Sequence, residues 1–316
     1  MKVIVTGAAG FIGSSLAERL IREGCEVLGV DCFSDYYNRS LKEANLAELV
    51  DARGFNLVET DLNTVDLAPL VKDVEVIYHL AGQPGVRKSW GSDFAQYITD
   101  NISATQRLLE AALHHANDLT RFVYASSSSV YGDAERFPAE ETDCPLPRSP
   151  YGVTKLAGEN LVGLYASNFN LPCASLRFFT VYGPRQRPDM AFNRFISCAL
   201  QSRSLQVHGD GTQIREFTYI DDIVEANVIA GWAQIDPGVI INLSGGTAIS
   251  INEVLDLLED IHGRPLNLEM GEAALGDVFR TGGSTDRALN LLGWQPKVEI
   301  QSGLAREYEW LATEVR

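Results

Sequence analysis

Positive charge is scarce in this sequence: its 316 residues hold 26 lysines and arginines against 42 aspartates and glutamates, a formal net charge of −16. Such a surface repels polyanions, so nucleic acid and anionic membrane are not expected partners, and an anionic ligand must be small and met by a few converging arginines. Cysteine is sparse too. Cys25, Cys32, Cys144, Cys173 and Cys198 are scattered, odd in number, and lack the spacing of a metal site or redox pair. They are expected to be reduced thiols in the cytoplasm, and no metal is expected. No apolar run reaches membrane-spanning length, and Met1-Lys-Val-Ile-Val-Thr-Gly7 reads as a strand entering a turn rather than a cleavable leader. The remaining composition, 45% hydrophobic and 22% charged, is that of a chain able to bury a full core.

What is present is an alternation of strand and helix patterns. Residues 3–5, 26–30, 57–62, 74–80, 121–125 and 172–177 read as strands, while 101–115 and the stretch from Tyr151 carry apolar residues at helical spacing. That order implies an α/β fold with a doubly wound, Rossmann-type parallel sheet, helices on both faces, and ligands at the carboxyl ends of the strands. Gly7, Gly10 and Gly13, with Phe11 and Ile12 between the last two, lie between the first strand and the first helix. Glycines so placed permit a tight turn and bring backbone N–H groups and a helix N-terminus against a pyrophosphate. Asp31, eighteen residues past Gly13, ends the second strand, where a carboxylate takes the ribose hydroxyls of an adenosine. This favours NAD over NADP. Asp61 and Leu62 are expected beside the adenine, and Leu80 and Ala81 against the cofactor. His79 is expected to be a packed strand histidine.

The chemistry centres on Ala125 to Lys155. Ser126, Ser127, Ser128 and Ser129 end a strand, and Tyr151 and Lys155 share one face of a helix, so an ammonium can lower the pKa of a phenol that acts as general base. After Arg177 the texture changes to a proline-stiffened loop with Thr180, Arg185 and Arg187. The segment from Arg215 to Asp222 is expected to return to the sheet, and Ser250 with Glu253 forms a capping box. The expected division is a cofactor domain over 1–177 plus about 219–246, and a smaller α/β lobe over 178–218 plus about 247–316.

With these motifs the chain resembles the extended short-chain dehydrogenase/reductases of the sugar-nucleotide epimerase branch. Three stretches, Asp31 to Lys42, Ala81 to Arg87 and Arg185 to Ala191, look like those of UDP-glucuronate 4-epimerases. The resemblance implies NAD in the N-terminal domain, a UDP-sugar held by the C-terminal lobe, and a homodimer built on two helices. It aligns Ser127 with the hydroxyl that assists Tyr151, with transient hydride transfer to NAD, a 4-keto intermediate, and return of hydride to the opposite face. Related dehydratases and decarboxylases carry acids in this run, whereas Ser128 and Ser129 cannot exchange protons near neutrality. A sugar carboxylate is expected to meet Thr180, Ser128, Ser129 and Arg187. Arg215 and Arg280 are expected at the diphosphate, Asp277 at the uridine ribose, Gln206 and Val207 at the uracil, and Arg87 in the substrate site. The alternatives are a 4-epimerase for UDP-glucose or UDP-N-acetylglucosamine, then a decarboxylase or a non-catalytic NAD sensor.

Overall fold

A computed structural model describes residues 1–272 and 278–314. Its strands are β1 (Lys2–Thr6), β2 (Glu26–Asp31), β3 (Phe55–Glu59), β4 (Val76–His79), β5 (Arg121–Ser127), β6 (Cys173–Phe178), β7 (Thr180–Tyr182), β8 (Leu205–His208), β9 (Ile214–Tyr219), β10 (Val239–Leu243), β11 (Ala248–Ser250) and β12 (Leu268–Gly271). The α-helices are α1 (Phe11–Arg22), α2 (Arg39–Asn45), α3 (Ala68–Val71), α4 (Phe94–Ile98), α5 (Ala104–His115), α6 (Pro150–Phe169), α7 (Ala191–Leu200), α8 (Ile220–Trp232), α9 (Ile251–His262), α10 (Asp286–Leu292) and α11 (Ile300–Glu314).

Seven parallel strands form one sheet in the order β3-β2-β1-β4-β5-β6-β10. Each central strand is apolar on both faces because both are covered. Val3, Val5, Val76, Tyr78, Val123 and Ala125 pack with α1 and α8 on one side. The alternate residues Ile4, Ile77, Phe122 and Tyr124 pack with α5 and α6 on the other. The chain leaves β1 in one direction along the sheet and resumes at β4 in the other, so a crevice opens between their carboxyl ends.

Three expectations change. The third strand lies at Phe55–Glu59 rather than 57–62, leaving Asp61 and Leu62 in the turn beyond it. The segment after Arg215 does not rejoin the main sheet: β9 pairs with β7 and β11 in a separate three-stranded sheet, and the return is made by α8 and β10. The helix expected over 101–115 begins at Phe94 and passes through one π-turn, Thr99–Ser103, between α4 and α5. Inserted residues of this kind recur at functional sites because they redirect a side chain without ending the helix. The capping box at Ser250 and Glu253 is present in both directions.

Candidate active site

One cleft follows the carboxyl ends of the main sheet, and its cofactor end begins at the glycine turn. Gly7 has φ of +70°, and a Cβ there would stand 2.9 Å from the Ala81 nitrogen; a Cβ on Gly13 would collide with the Gly7 carbonyl. Only glycine lets the turn lie against β4 and α1 against the turn. Gly10, Phe11 and Ile12 line the same wall, with the N-terminus of α1 facing the cleft. Asp31 is 8% exposed and accepts hydrogen bonds from Ala9 N at 3.0 Å and Phe33 N at 2.8 Å. Lys42, also buried, brings its ammonium to 3.7 Å from the same carboxylate. Asp61, Leu62, Leu80 and Ala81 complete this end, with Asp61 accepting from Asn63 N at 2.8 Å. A glycine cradle at a helix N-terminus with a buried carboxylate beyond it is the donor and acceptor set a dinucleotide requires.

Deeper in the cleft, β5 delivers the serines and α6 the tyrosine and lysine. Ser149 caps α6 by accepting from Gly152 N at 3.1 Å, which sets the helix start at Pro150 and the direction in which Tyr151 leaves it. Behind the serines lies a buried ion pair. Arg177 donates to both oxygens of Glu159, at 3.0 and 2.6 Å, and Ser126 donates to the same carboxylate at 2.7 Å. Because side chains alternate along a strand, holding Ser126 on that side turns Ser127 toward the cleft. Ser127 Oγ accepts from Ser129 N at 3.1 Å, leaving its own proton to donate.

Burial pushes the Tyr151 phenol up, while the Ser127 hydroxyl and the Arg187 charge pull it down. The Lys155 ammonium donates to Ala125 O at 2.7 Å, and burial lowers its pKa to about 8.

His79 is fully buried, and its contacts fix its tautomer. Thr105 Oγ1 gives its proton to Asn101 O at 2.8 Å, so it accepts from His79 Nε2 at 2.9 Å. Thr6 Oγ1 lies 2.8 Å from His79 Nδ1 and accepts from Ala81 N at 3.0 Å, so its proton goes to the ring. Burial lowers the pKa of His79 to about 3, the neutral state this chain of bonds requires. The histidine is structural, as expected, and joins the glycine turn to the π-turn. Within that turn Asn101 accepts from Gln83 N at 2.7 Å and donates to Gln83 O and Thr154 Oγ1, both at 3.0 Å. Sequence reading had not singled out Asn101, since an asparagine on a helix carries no signal until the π-turn aims it inward.

The loop after β7 sends consecutive residues three ways. Arg185, at φ +71°, turns to Glu18 of α1 at 2.7 Å, Gln186 is buried and bonds to Val181 O and Asn193, and Arg187 faces the cleft with Thr180. Ser128 and Ser129 line that cleft as well. Other expected substrate contacts are not gathered there. Arg87 is exposed outside it. The side chain of Val207 belongs to the apolar core, which leaves only its backbone for a base, and Gln206 beside it is exposed. Arg215 donates to the carbonyls of Ile214, Val278 and Phe279, and Arg280 stacks on Phe137 with its Nε buried. Asp277 lies outside the described residues.

Residues 3–244 match the model of the NAD dependent epimerase/dehydratase family. The chain belongs to that family. Among epimerase relatives, the uncharacterised UDP-glucose epimerase YtcB of Bacillus subtilis is 44% identical over 315 residues, covering 99% of this chain and 98% of that one. The UDP-glucuronate 4-epimerase of Thermodesulfobacterium geofontis is 36% identical over 313 residues, covering 97% and 95%. The crystal structure of the UDP-glucuronic acid 4-epimerase of Bacillus cereus with UDP-glucuronic acid and NAD superposes with a TM-score of 0.96, at 42% identity and full coverage of both chains.

Proposed function

We propose that this protein inverts C4 of UDP-glucuronate to give UDP-galacturonate, reversibly and with no net oxidation. The observation that carries the reading is the cleft's inventory: Ser127, Ser128, Ser129, Tyr151, Lys155, Thr180 and Arg187 line one cleft together with the glycine turn and Asp31. NAD, when bound, supplies the acceptor and later the donor of the C4 hydride. Tyr151 takes the 4-hydroxyl proton and returns it, and Ser127 donates to the same oxygen. Lys155 holds positive charge at the cofactor side of the phenol. Arg187, Thr180 and the two serines hold the sugar carboxylate. With no acid or base beside Tyr151 in the serine run, neither elimination of water nor assisted loss of carbon dioxide has a proton carrier.

Assembly as a homodimer in the cytoplasm belongs to this reading. Supporting the dimer, Val153, Leu164 and Phe169 on α6 and Ile98 on α4 are 41–58% exposed apolar side chains. The five cysteines are free, as a reducing compartment maintains them. The name of the Bacillus subtilis relative favours a second reading, UDP-glucose as substrate. Incubating the purified protein, without added NAD, with UDP-glucuronate, UDP-glucose and UDP-N-acetylglucosamine and following the anomeric protons by NMR separates the two. Conversion of the uronate is expected; conversion of the neutral sugars alone would overturn the assignment.

A further inference from the structure

Arg187 does not present its whole guanidinium to the cleft. Its Nε and Nη2 donate to the two oxygens of Asp189, each at 3.0 Å, a fork-to-fork pair formed by residues two apart in one loop. Asp189 Oδ2 also accepts from the Tyr36 hydroxyl at 3.3 Å, which ties the pair to the loop after β2. The Tyr36 ring is itself flanked by cations, with Lys88 Nζ 4.3 Å and Arg187 Cζ 5.7 Å from its centroid. Two loops thus meet at one carboxylate beside the cleft, and a third lays Lys88 against the Tyr36 ring. Nη1 of Arg187 has no hydrogen-bond partner among the described residues, and Arg187, unlike Asp189, lines the cleft wall.

A guanidinium whose charge is unbalanced grips a carboxylate firmly, through two parallel bonds from a single edge. Epimerisation is poorly served by such a grip, because the oxidised sugar must turn over before hydride returns and the C5 carboxylate moves with the ring. We infer that Asp189, steadied by Tyr36, is a positioning residue that balances the charge of Arg187 and takes its Nε edge, so that the sugar carboxylate meets an already neutralised guanidinium, at its remaining Nη1–Nη2 end, which it can leave when the ring turns. The inference rests on the uronate reading above and adds a cause for turnover to it. It also assigns Tyr36, remote in sequence from the loop, to the control of substrate release.

The test compares UDP-glucuronate with UDP-glucose, which has the same anchor and no carboxylate. Asp189→Asn removes the balancing charge and frees one donor, and is expected to lower both KM and kcat for UDP-glucuronate by about tenfold, the weight of one added charge-assisted hydrogen bond. Bound NADH should accumulate during turnover, because the keto sugar is held before hydride returns. The affinity for UDP-glucose, measured by calorimetry, should stay within about twofold, well under the weight of one hydrogen bond. Tyr36→Phe should move every quantity in the same direction by less, and serves if the first variant fails to fold. Loss of affinity for both nucleotides in parallel, or an unchanged KM for UDP-glucuronate in both variants, overturns the inference while leaving the uronate reading in place. A wild-type enzyme that does not turn over UDP-glucuronate overturns both.

Discussion

At the sheet end of the cleft, Ser127, Tyr151 and Lys155 are placed by short-range devices: strand alternation, a capped helix start and a buried carboxylate behind the serines. At the rim, Arg187 is placed by Asp189 two residues away and, through it, by Tyr36 from a distant loop. The inner half is buried and has its hydrogen bonds met by the core, so its geometry is a by-product of folding. The outer half is built on a loop and held by charge. Chemistry shared by a whole family needs the first arrangement, and a choice among substrates can be made by the second.

Breaking the inner half should have the largest effect. Tyr151→Phe removes the proton carrier and is expected to slow epimerisation by about a thousandfold or more, while NAD binding, followed by nicotinamide-dye fluorescence or equilibrium dialysis, remains. Glu159→Gln leaves Arg177 buried without its counter-charge, at a cost of about 3 kcal/mol. It should appear as a lowered unfolding midpoint together with a reduced kcat, since Ser126 loses its anchor. No rim substitution should lower the midpoint as much.

The His79 relay should reveal itself through pH. Its folded-state pKa is about 3, below the value of about 6.5 in an unfolded chain. Between those values the unfolded state binds a proton that the folded state does not. Stability is therefore fully present above about pH 6.5 and is lost as pH falls toward 3. His79→Gln should be less stable than wild type at pH 7, with the gap narrowing by about 2 kcal/mol by pH 5. A constant gap in urea titrations at the two pH values would show that His79 is not held neutral.

The smallest effect on turnover is expected at Arg185, which turns away from the cleft to Glu18. Arg185→Ala leaves the mostly buried Glu18 carboxylate without its partner and should cost about 1–3 kcal/mol of stability, yet should leave KM unchanged within error. A large rise in KM for UDP-glucuronate there would erase the division between the two arginines.

The inner half was legible because its signals are local. A glycine turn, a strand-ending aspartate and a tyrosine and lysine one helical turn apart each carry their geometry in their spacing. Asn101 was not legible, because the π-turn that aims it depends on contacts with Gln83, Thr154 and the His79 chain from three other segments. For Val207, expected at the uracil from the resemblance, strand alternation with Leu205 already directs the side chain inward, and the structure places it in the apolar core.

From the sequence alone came the parallel sheet, the cofactor cradle and the sharing of one helix face by Tyr151 and Lys155, since backbone sterics and helical or strand periodicity act over a few residues. Only the tertiary structure decided that Arg185 turns back to α1 and that the Arg187 guanidinium reaches the cleft already paired with a carboxylate. Those outcomes depend on Glu18, Asp189 and Tyr36 reaching the same loop from different parts of the chain, and no spacing in the sequence encodes such a meeting.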